Sequence, residues 1–239
     1  SVALMSAPYP GASSFRFDGR SAAEQAAKVH QDLAALNPPR LHYQRYLCLP
    51  EANQQMLDCA QGLPDFLRAY FHMKSADWPG NKPAPLASAS AADLATMPEY
   101  YVMAMDKTMP QTVAQAMPTA EQVSACAWLP DKDLAVYALS FAATGFQGGL
   151  QWYRAFGSAA SQAELLLFAG LTISVPACFI AGASDWGIYQ SPGAFEAMQS
   201  LACSDLRSCN LIPDAGHWVQ QEQPEVVVDK LLAFLAGMR

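Results

Sequence analysis

The sequence carries little charge for its length, and most of that charge is negative. Among 239 residues there are 14 Lys or Arg and 21 Asp or Glu, which gives a net charge of −7 at pH 7. The basic residues are scattered along the chain. Because such a surface repels phosphate backbones, we exclude nucleic acid as a partner.

Metal-ligand spacing is also lacking. The sequence has six cysteines and four histidines but no Cys-x-x-Cys pair and no Cys/His set at zinc spacing, so a metal site is not indicated. A chain of this length needs no disulfide to fold, which favours a reducing, cytoplasmic location. Pairing of Cys203 with Cys209 stays open.

No segment has the character of a membrane span. Residues 165–183 carry no formal charge and approach the length that crosses a bilayer. Gly170, Pro176 and Gly182 interrupt this stretch, however. They divide it into AELLLFAG, typical of a helix end, and VPACFIAG, typical of a buried strand. We therefore predict a helix followed by a strand, and no membrane partner.

The hydrophobic pattern divides the chain into three parts. The opening run VALMSAPYPG is apolar without alternation, which is typical of a strand covered on both faces. From about Phe15 to Gly170 the pattern is helical, and afterwards strand, helix, strand and helix alternate, which indicates parallel strands. We predict an α/β fold with a core strand at 1–14, a helical cap at 15–170 and a βαβα part at 171–239.

Apolar periodicity and end signals place several helices within the predicted cap. One begins at Thr119, and another begins at Asp131 and ends at Gly145. The other predicted helices are Glu51–Ala60, Pro64–Met73 and Ala91–Met97.

Among the four histidines, His217 stands where catalytic residues are expected. It lies in Asp-Ala-Gly-His-Trp directly after a predicted strand, and Asp185 occupies the equivalent place after the preceding strand. Loops at the carboxyl ends of parallel strands build functional sites. A carboxylate that accepts from one imidazole nitrogen fixes the tautomer and leaves the other nitrogen free to act as a base. The order acid, then histidine, is also that of the α/β-hydrolases.

Several motifs resemble those of soluble epoxide hydrolases in the α/β-hydrolase superfamily. Thr144–Arg154 (TGFQGGLQWYR) resembles the family's cap motif ending in Asn/Gln-Trp-Tyr-Arg, and His42–Tyr46 (HYQRY) resembles its second cap signature. GASDWG and DAGHWVQQEQPE resemble the acid and histidine loops, and VALMSAPYPG resembles the strand that leads into the cap. The resemblance covers nearly the whole chain. It implies the C-terminal portion of an α/β-hydrolase fold, with a helical cap inserted between core strands.

The resemblance also implies roles for the cap tyrosines. In that family two tyrosines hold the epoxide oxygen, and the motifs place them at Tyr43 and Tyr153, although Tyr46 could replace Tyr43. A neutral phenol suits this role because it can donate a hydrogen bond or a proton to the oxygen as the ring opens. Three further aromatic residues could line an apolar substrate pocket, and core packing explains them equally well: Trp152, Phe146 and Trp218.

The family's nucleophile, an aspartate on a Gly-x-Asp-x-Gly elbow, has no counterpart at the expected place. Ala183–Gly187 (ASDWG) superficially resembles such an elbow, but Asp185 fits the acid role better, and Ser184 lacks the Gly-x-Ser-x-Gly form. We therefore expect the nucleophile to come from a missing N-terminal segment or a companion polypeptide. This chain alone should be inactive.

With that nucleophile, the expected activity is hydrolysis of a small apolar epoxide to a vicinal diol through an alkyl-enzyme ester. Asp185, His217, Tyr153 and Tyr43 would be the catalytic residues, and no metal or organic cofactor is implied. Two alternatives stay open: a haloalkane-dehalogenase-like hydrolase, and a non-catalytic cap or binding subunit. A homodimer formed through the cap is also compatible with the sequence.

Overall fold

The computed structural model describes residues 1–12 and 22–237. The strands are β1 Val2–Met5, β2 Arg40–His42, β3 Val102–Ala104, β4 Ala177–Gly182 and β5 Leu206–Ile212. The helices are α1 Ala22–Ala34, α2 Tyr43–Leu47, α3 Ala52–Leu57, α4 Leu63–Lys74, α5 Ala91–Leu94, α6 Met109–Ala114, α7 Ala120–Ala125, α8 Asp131–Thr144, α9 Gln147–Phe156, α10 Ala159–Leu165, α11 Ala194–Ala197, α12 Val219–Glu222 and α13 Pro224–Ala236. Two 3₁₀ helices, Leu166–Phe168 and Trp186–Ile188, and a π-helical turn, Met198–Ala202, are also present.

The chain folds as two compact units. The first contains β1, the segment Lys74–Ala89 and the chain from Ala163 onward. The second contains the described residues of 22–73 and 90–162. Residues 74–89 therefore group with the strands. The predicted division at 14, 170 and 171 remains a prediction, and its first boundary, between residues 14 and 15, lies outside the described residues.

The first unit is built on a three-stranded parallel sheet in the order β1-β4-β5. Val2 pairs with Ala177 at the start of β4, and β5 runs along the other side of β4 as far as Ile212. All six residues of the central strand are buried. The prediction of parallel strands is confirmed by this pairing.

Each face of β4 packs against a different hydrophobic cluster. Phe179 packs with Ile188 and Met198, whereas Ile180, which points to the opposite face, packs with Val227 of α13. Burying a side chain such as that of Phe179 contributes about 1.5–3 kcal/mol. Coverage on both faces explains why the sequence of this strand is a continuous apolar run rather than an alternating one.

The second unit is helical and includes one small antiparallel sheet. β2 and β3 pair from Arg40 with Ala104 to His42 with Val102. The predicted helix start at Thr119 is confirmed: its hydroxyl accepts from the Gln122 N–H, and the Gln122 side chain accepts from the Thr119 N–H. These reciprocal bonds satisfy two main-chain donors that the first turn of a helix leaves free.

Helix α8 ends where the sequence predicts. It spans Asp131–Thr144, and Gly145 follows with φ +66°, a left-handed conformation that glycine adopts without a steric penalty. The structure also confirms a helix end followed by a strand within residues 165–183. Among the described residues, no helix combines the length and the apolar character that crossing a bilayer requires. All six cysteines, Cys203 and Cys209 included, are unpaired.

Candidate active site

Asp185 lies just beyond the carboxyl end of β4, in the first unit. It caps the 3₁₀ helix Trp186–Ile188, and its Oδ1 accepts from the main-chain N–H of Gly187 at 2.7 Å. The residue is 1% exposed. A carboxylate buried this deeply needs hydrogen-bond partners, and the Gly187 N–H supplies one of them.

The second partner is His217, which follows β5. Its Nδ1 lies 3.1 Å from Oδ2 and 3.2 Å from Oδ1 of Asp185. With the carboxylate ionised, Nδ1 carries the proton and donates it to Asp185, so Nε2 is left as an acceptor. The imidazole is 26% exposed, in contrast to its buried partner. The pair expected from the sequence is thus brought together at the ends of adjacent parallel strands.

The surroundings of His217 favour its neutral form. Burial lowers the pKa of this imidazole, the Lys74 ammonium lowers it further, and Asp185 acts in the opposite direction. Lys74 is itself 6% exposed, with Nζ 5.6 Å from the centre of the Trp218 ring. A histidine that stays neutral near pH 7 can accept a proton, as a general base must.

Main-chain bonds hold His217 in place. Its N–H donates to the Lys74 carbonyl at 2.9 Å, and its carbonyl accepts from the Ser6 hydroxyl at 3.3 Å. Ser6 follows β1 and has φ +62°, an uncommon conformation for a residue other than glycine. Through this contact the end of β1 lies beside the histidine loop, next to the ends of β4 and β5.

Close main-chain approaches surround the histidine loop. A Cβ on Gly182 would lie 2.2 Å from the Gly216 carbonyl oxygen, and one on Gly216 would lie 2.5 Å from the Lys74 carbonyl oxygen. Only glycine fits such contacts.

Trp218, one of the three predicted pocket residues, packs edge-on against the His217 ring, with ring centres 4.9 Å apart.

In the second unit, Tyr43 and Tyr153 contact each other. Their ring centres are 6.0 Å apart in an edge-to-face arrangement, and Tyr43 also packs edge-on against Tyr101. Tyr43 is 7% exposed, and its hydroxyl accepts from Gln44 Nε2 at 3.3 Å. Two tyrosines more than 100 positions apart in the sequence are thus adjacent in the structure.

Tyr46, the alternative to Tyr43, is buried more deeply. It is 2% exposed, and burial raises the pKa of its phenol to about 12, while the main chain of Met109 in α6 lowers it. Tyr43 is the tyrosine of this pair that packs edge-on against Tyr153. Which of the two acts on a substrate stays a prediction.

Helix α9 carries Tyr153 and is anchored at both ends. At its start, the Phe146 N–H donates to Asn53 Oδ1 at 2.8 Å. Near its end, the Arg154 guanidinium donates to the carbonyls of Cys48 and Leu49, just beyond α2. Because α2 begins at Tyr43, these bonds tie together the two helices that carry the tyrosine pair.

The two remaining predicted pocket residues lie in different environments. Phe146 stacks on Phe141, with ring centres 4.3 Å apart, and meets Phe66 edge-on. It is therefore part of the packing of the second unit. Trp152 is 74% exposed. Their roles in substrate binding stay predictions.

His42 makes the stability of the second unit sensitive to acid. It caps α2, with Nδ1 accepting from the Gln44 N–H. Burial, and secondarily His30, lowers its pKa to about 4 from the usual 6.5. Between those values the unfolded chain binds a proton that the folded chain excludes, so stability falls as the pH falls. From pH 7 to pH 5 we expect a loss of about 2 kcal/mol.

Chemical denaturation at the two pH values tests this expectation. His42→Asn keeps a capping acceptor that does not titrate, so the loss should shrink by most of that amount. His30→Asn, at the neighbouring ring 6.5 Å away, should reduce the loss by a smaller amount, because burial also lowers the pKa of His30 and His30 is only the secondary cause of the His42 shift. An equal pH dependence in wild type and His42→Asn would contradict the assignment.

A parallel sheet with an acid–histidine pair at its strand ends, and a long helical segment between β1 and β4 in the chain, are features of part of an α/β-hydrolase fold. Solved structures bear this out. An epoxide hydrolase from an endophytic Streptomyces matches 99% of this chain and 60% of its own, with a TM-score of 0.67 and 21% identity. Epoxide Hydrolase A from Mycobacterium thermoresistibile matches 98% of this chain and 61% of its own, with a TM-score of 0.65 and 28% identity.

The sequence comparison is more specific. Epoxide hydrolase A of Mycobacterium tuberculosis is 32% identical over 234 residues, which cover 90% of this chain and 70% of that protein. No protein-family model matches the chain. The chain belongs to the epoxide hydrolase family, and both the predicted fold class and the resemblance are confirmed. It spans about 60% of the solved structures and 70% of the curated relative.

Proposed function

We propose that the chain provides the base, its orienting acid and the electrophilic tyrosines of an epoxide hydrolase. The observation that carries the proposal is the bond between His217 Nδ1 and the buried Asp185 carboxylate, at the ends of adjacent parallel strands. The contact between Tyr43 and Tyr153, each within a motif that resembles the family's, supports it further.

The first half-reaction opens the epoxide. A carboxylate oxygen of the nucleophile attacks one ring carbon, a new C–O bond forms, and the bond from that carbon to the epoxide oxygen breaks. The electron pair moves onto the epoxide oxygen, which takes a proton from one of the phenols of Tyr43 and Tyr153 while the other donates a hydrogen bond, and the resulting phenolate later regains a proton from water. The product is a hydroxyalkyl ester of the enzyme. The phenols stabilise the charge that develops on oxygen and are therefore strongest in the transition state.

The second half-reaction releases the diol. His217 Nε2 takes a proton from water, and the resulting hydroxide attacks the carbonyl carbon of the ester. The acyl C–O bond then breaks, and the departing diol oxygen takes the proton back from the His217 imidazolium. Asp185 holds the Nδ1–H tautomer and stabilises the imidazolium, which is the task of the acid in acid–histidine pairs. The lowered pKa of His217 keeps the base available at neutral pH.

The nucleophile, in this proposal, is an aspartate of an N-terminal segment or of a companion polypeptide. β1 is paired with β4 on one side and lies at the edge of the described sheet. An edge of a parallel sheet is normally covered or paired, so a strand of the nucleophile-bearing part beside β1 would complete this edge. The coverage of 60–70% of the relatives' length supports the same proposal.

The test uses the protein purified together with its nucleophile-bearing part. It is mixed with a small apolar epoxide such as styrene oxide, and diol formation is followed. Rapid quenching and intact-mass measurement under denaturing conditions should show one epoxide mass added to the polypeptide that carries the nucleophile. The same spectrum shows whether that polypeptide is separate. Binding of epoxide or diol without turnover would instead favour a non-catalytic subunit.

A further inference from the structure

We propose that Glu222 is the positioning residue of the histidine loop, and that its carboxylate fixes the main chain on both sides of His217 for ester hydrolysis. The inference rests on the proposed function and extends it to a side chain that acts through the main chain around His217. Glu222 lies at the end of α12, five residues beyond the base.

Both oxygens of the Glu222 carboxylate accept from main-chain N–H groups. Oε2 accepts from Gly216 at 2.9 Å, and Oε1 accepts from Trp218 at 3.0 Å. Because these residues directly precede and follow His217, one side chain holds both neighbours of the base. Bonds of this kind are stronger than neutral ones, since the acceptor is charged.

A third bond connects the loop to a distant part of the chain. Oε2 also accepts from the Ala76 N–H at 2.8 Å, across 146 positions in the sequence. In the same segment, the Lys74 carbonyl accepts a hydrogen bond from the His217 N–H. Glu222 therefore joins the histidine loop and residues 74–76 into one rigid arrangement, within which the imidazole keeps its distance to Asp185.

The carboxyl group of Glu222 is partly buried, and its hydrogen bonds take the place of water. Burial raises the pKa of its carboxyl group, and the three N–H groups lower it. Placing a carboxylate where it loses water is unfavourable unless its bonds replace that water. The alternative, in which Glu222 serves stability alone, predicts a different kinetic outcome, and the two can be separated.

The experiment compares wild type with Glu222→Gln and Glu222→Ala in the assembled enzyme. Gln keeps the shape, but its amide nitrogen cannot accept, so at least one N–H loses its partner. Ala removes all three bonds. We expect ester hydrolysis to slow by about 10- to 100-fold in Glu222→Ala, as for a displaced catalytic group, with Glu222→Gln between it and wild type. The matched control is Glu225→Gln, in the exposed first turn of α13.

Two kinetic readouts separate positioning from stability. If only His217 is displaced, epoxide opening keeps its rate and the ester accumulates. Then kcat and KM fall together, and kcat/KM stays unchanged. A merely structural role would lower kcat and kcat/KM equally, by reducing the amount of active enzyme, without accumulation of ester. That second result would overturn the proposal.

Hydrogen exchange provides a test that needs no turnover. The amides of Ala76, Gly216 and Trp218 should exchange about 10-fold faster in Glu222→Ala, whereas those of β4 should keep their protection. Unchanged exchange at the three amides would overturn the proposal even if activity falls. If wild type has no epoxide turnover, the proposed function fails, and the exchange result alone decides whether Glu222 fixes the loop.

Discussion

Replacement of His217 by Gln is expected to leave the first half-reaction intact and to stop the second. In the proposed mechanism the imidazole takes a proton only from the water that attacks the ester, so ring opening does not need it. Steady-state diol formation should fall by about 10²- to 10⁴-fold, the range for loss of a positioned general base. After rapid quenching, the nucleophile-bearing polypeptide should be heavier by the mass of one epoxide molecule.

The control is His30→Gln, the same change at a histidine of helix α1 in the other unit. It should leave both the diol rate and the adduct level as in wild type. Loss of diol formation in His217→Gln without an adduct, at an unchanged unfolding temperature, would contradict the assignment of this residue to ester hydrolysis.

The acid–histidine pair could be predicted from the sequence because its signal is local. Asp185 and His217 each follow an apolar run that reads as a buried strand, and parallel strands bring their carboxyl ends together. This topology places the two loops at the same edge of the sheet, where the observed Nδ1 to Oδ2 distance is 3.1 Å.

The groups around the pair could not be predicted in this way. Lys74 lowers the pKa of His217 from a distant part of the chain, and Glu222 accepts from the Ala76 N–H across 146 positions. No periodicity or spacing encodes such a contact. The pattern of β4 reveals that the strand is covered, but it does not show which side chains surround the loop that follows a strand.

The choice between Tyr43 and Tyr46 illustrates the same limit within the second unit. Positions three apart lie on neighbouring faces of a helix, so spacing alone leaves both tyrosines as candidates. In the structure Tyr43 packs edge-on against Tyr153 and Tyr46 is 2% exposed, and which of the two hydroxyls acts on the epoxide stays a prediction. The β2–β3 pairing, with three residues in each strand, is likewise too short to leave a recognisable pattern.

Replacement of Tyr153 by Phe is expected to slow ring opening while leaving ester hydrolysis unchanged. The substitution removes one hydroxyl and keeps the ring that packs against Tyr43. Loss of one donor to a developing oxyanion costs about 10²- to 10³-fold in other enzymes, and a similar fall is expected here. Single-turnover mass measurements should show slower formation of the alkyl adduct and no accumulation at steady state, the opposite of the pattern expected for His217→Gln.

The matched control is Tyr46→Phe, since Tyr46 is 2% exposed and has no part in the proposed ring opening, so this variant should open epoxides at the wild-type rate. A chloroalkane substrate completes the test. A dehalogenase-like enzyme stabilises halide through other donors, so Tyr153→Phe would leave its chloride release unchanged. If the variant opens epoxides at the wild-type rate and the wild type releases chloride, Tyr153 is a packing residue and the dehalogenase alternative is favoured. If ring opening slows in Tyr153→Phe and not in Tyr46→Phe, the phenol at position 153 acts on the epoxide oxygen, because the two changes remove the same atom from two tyrosines of the same unit.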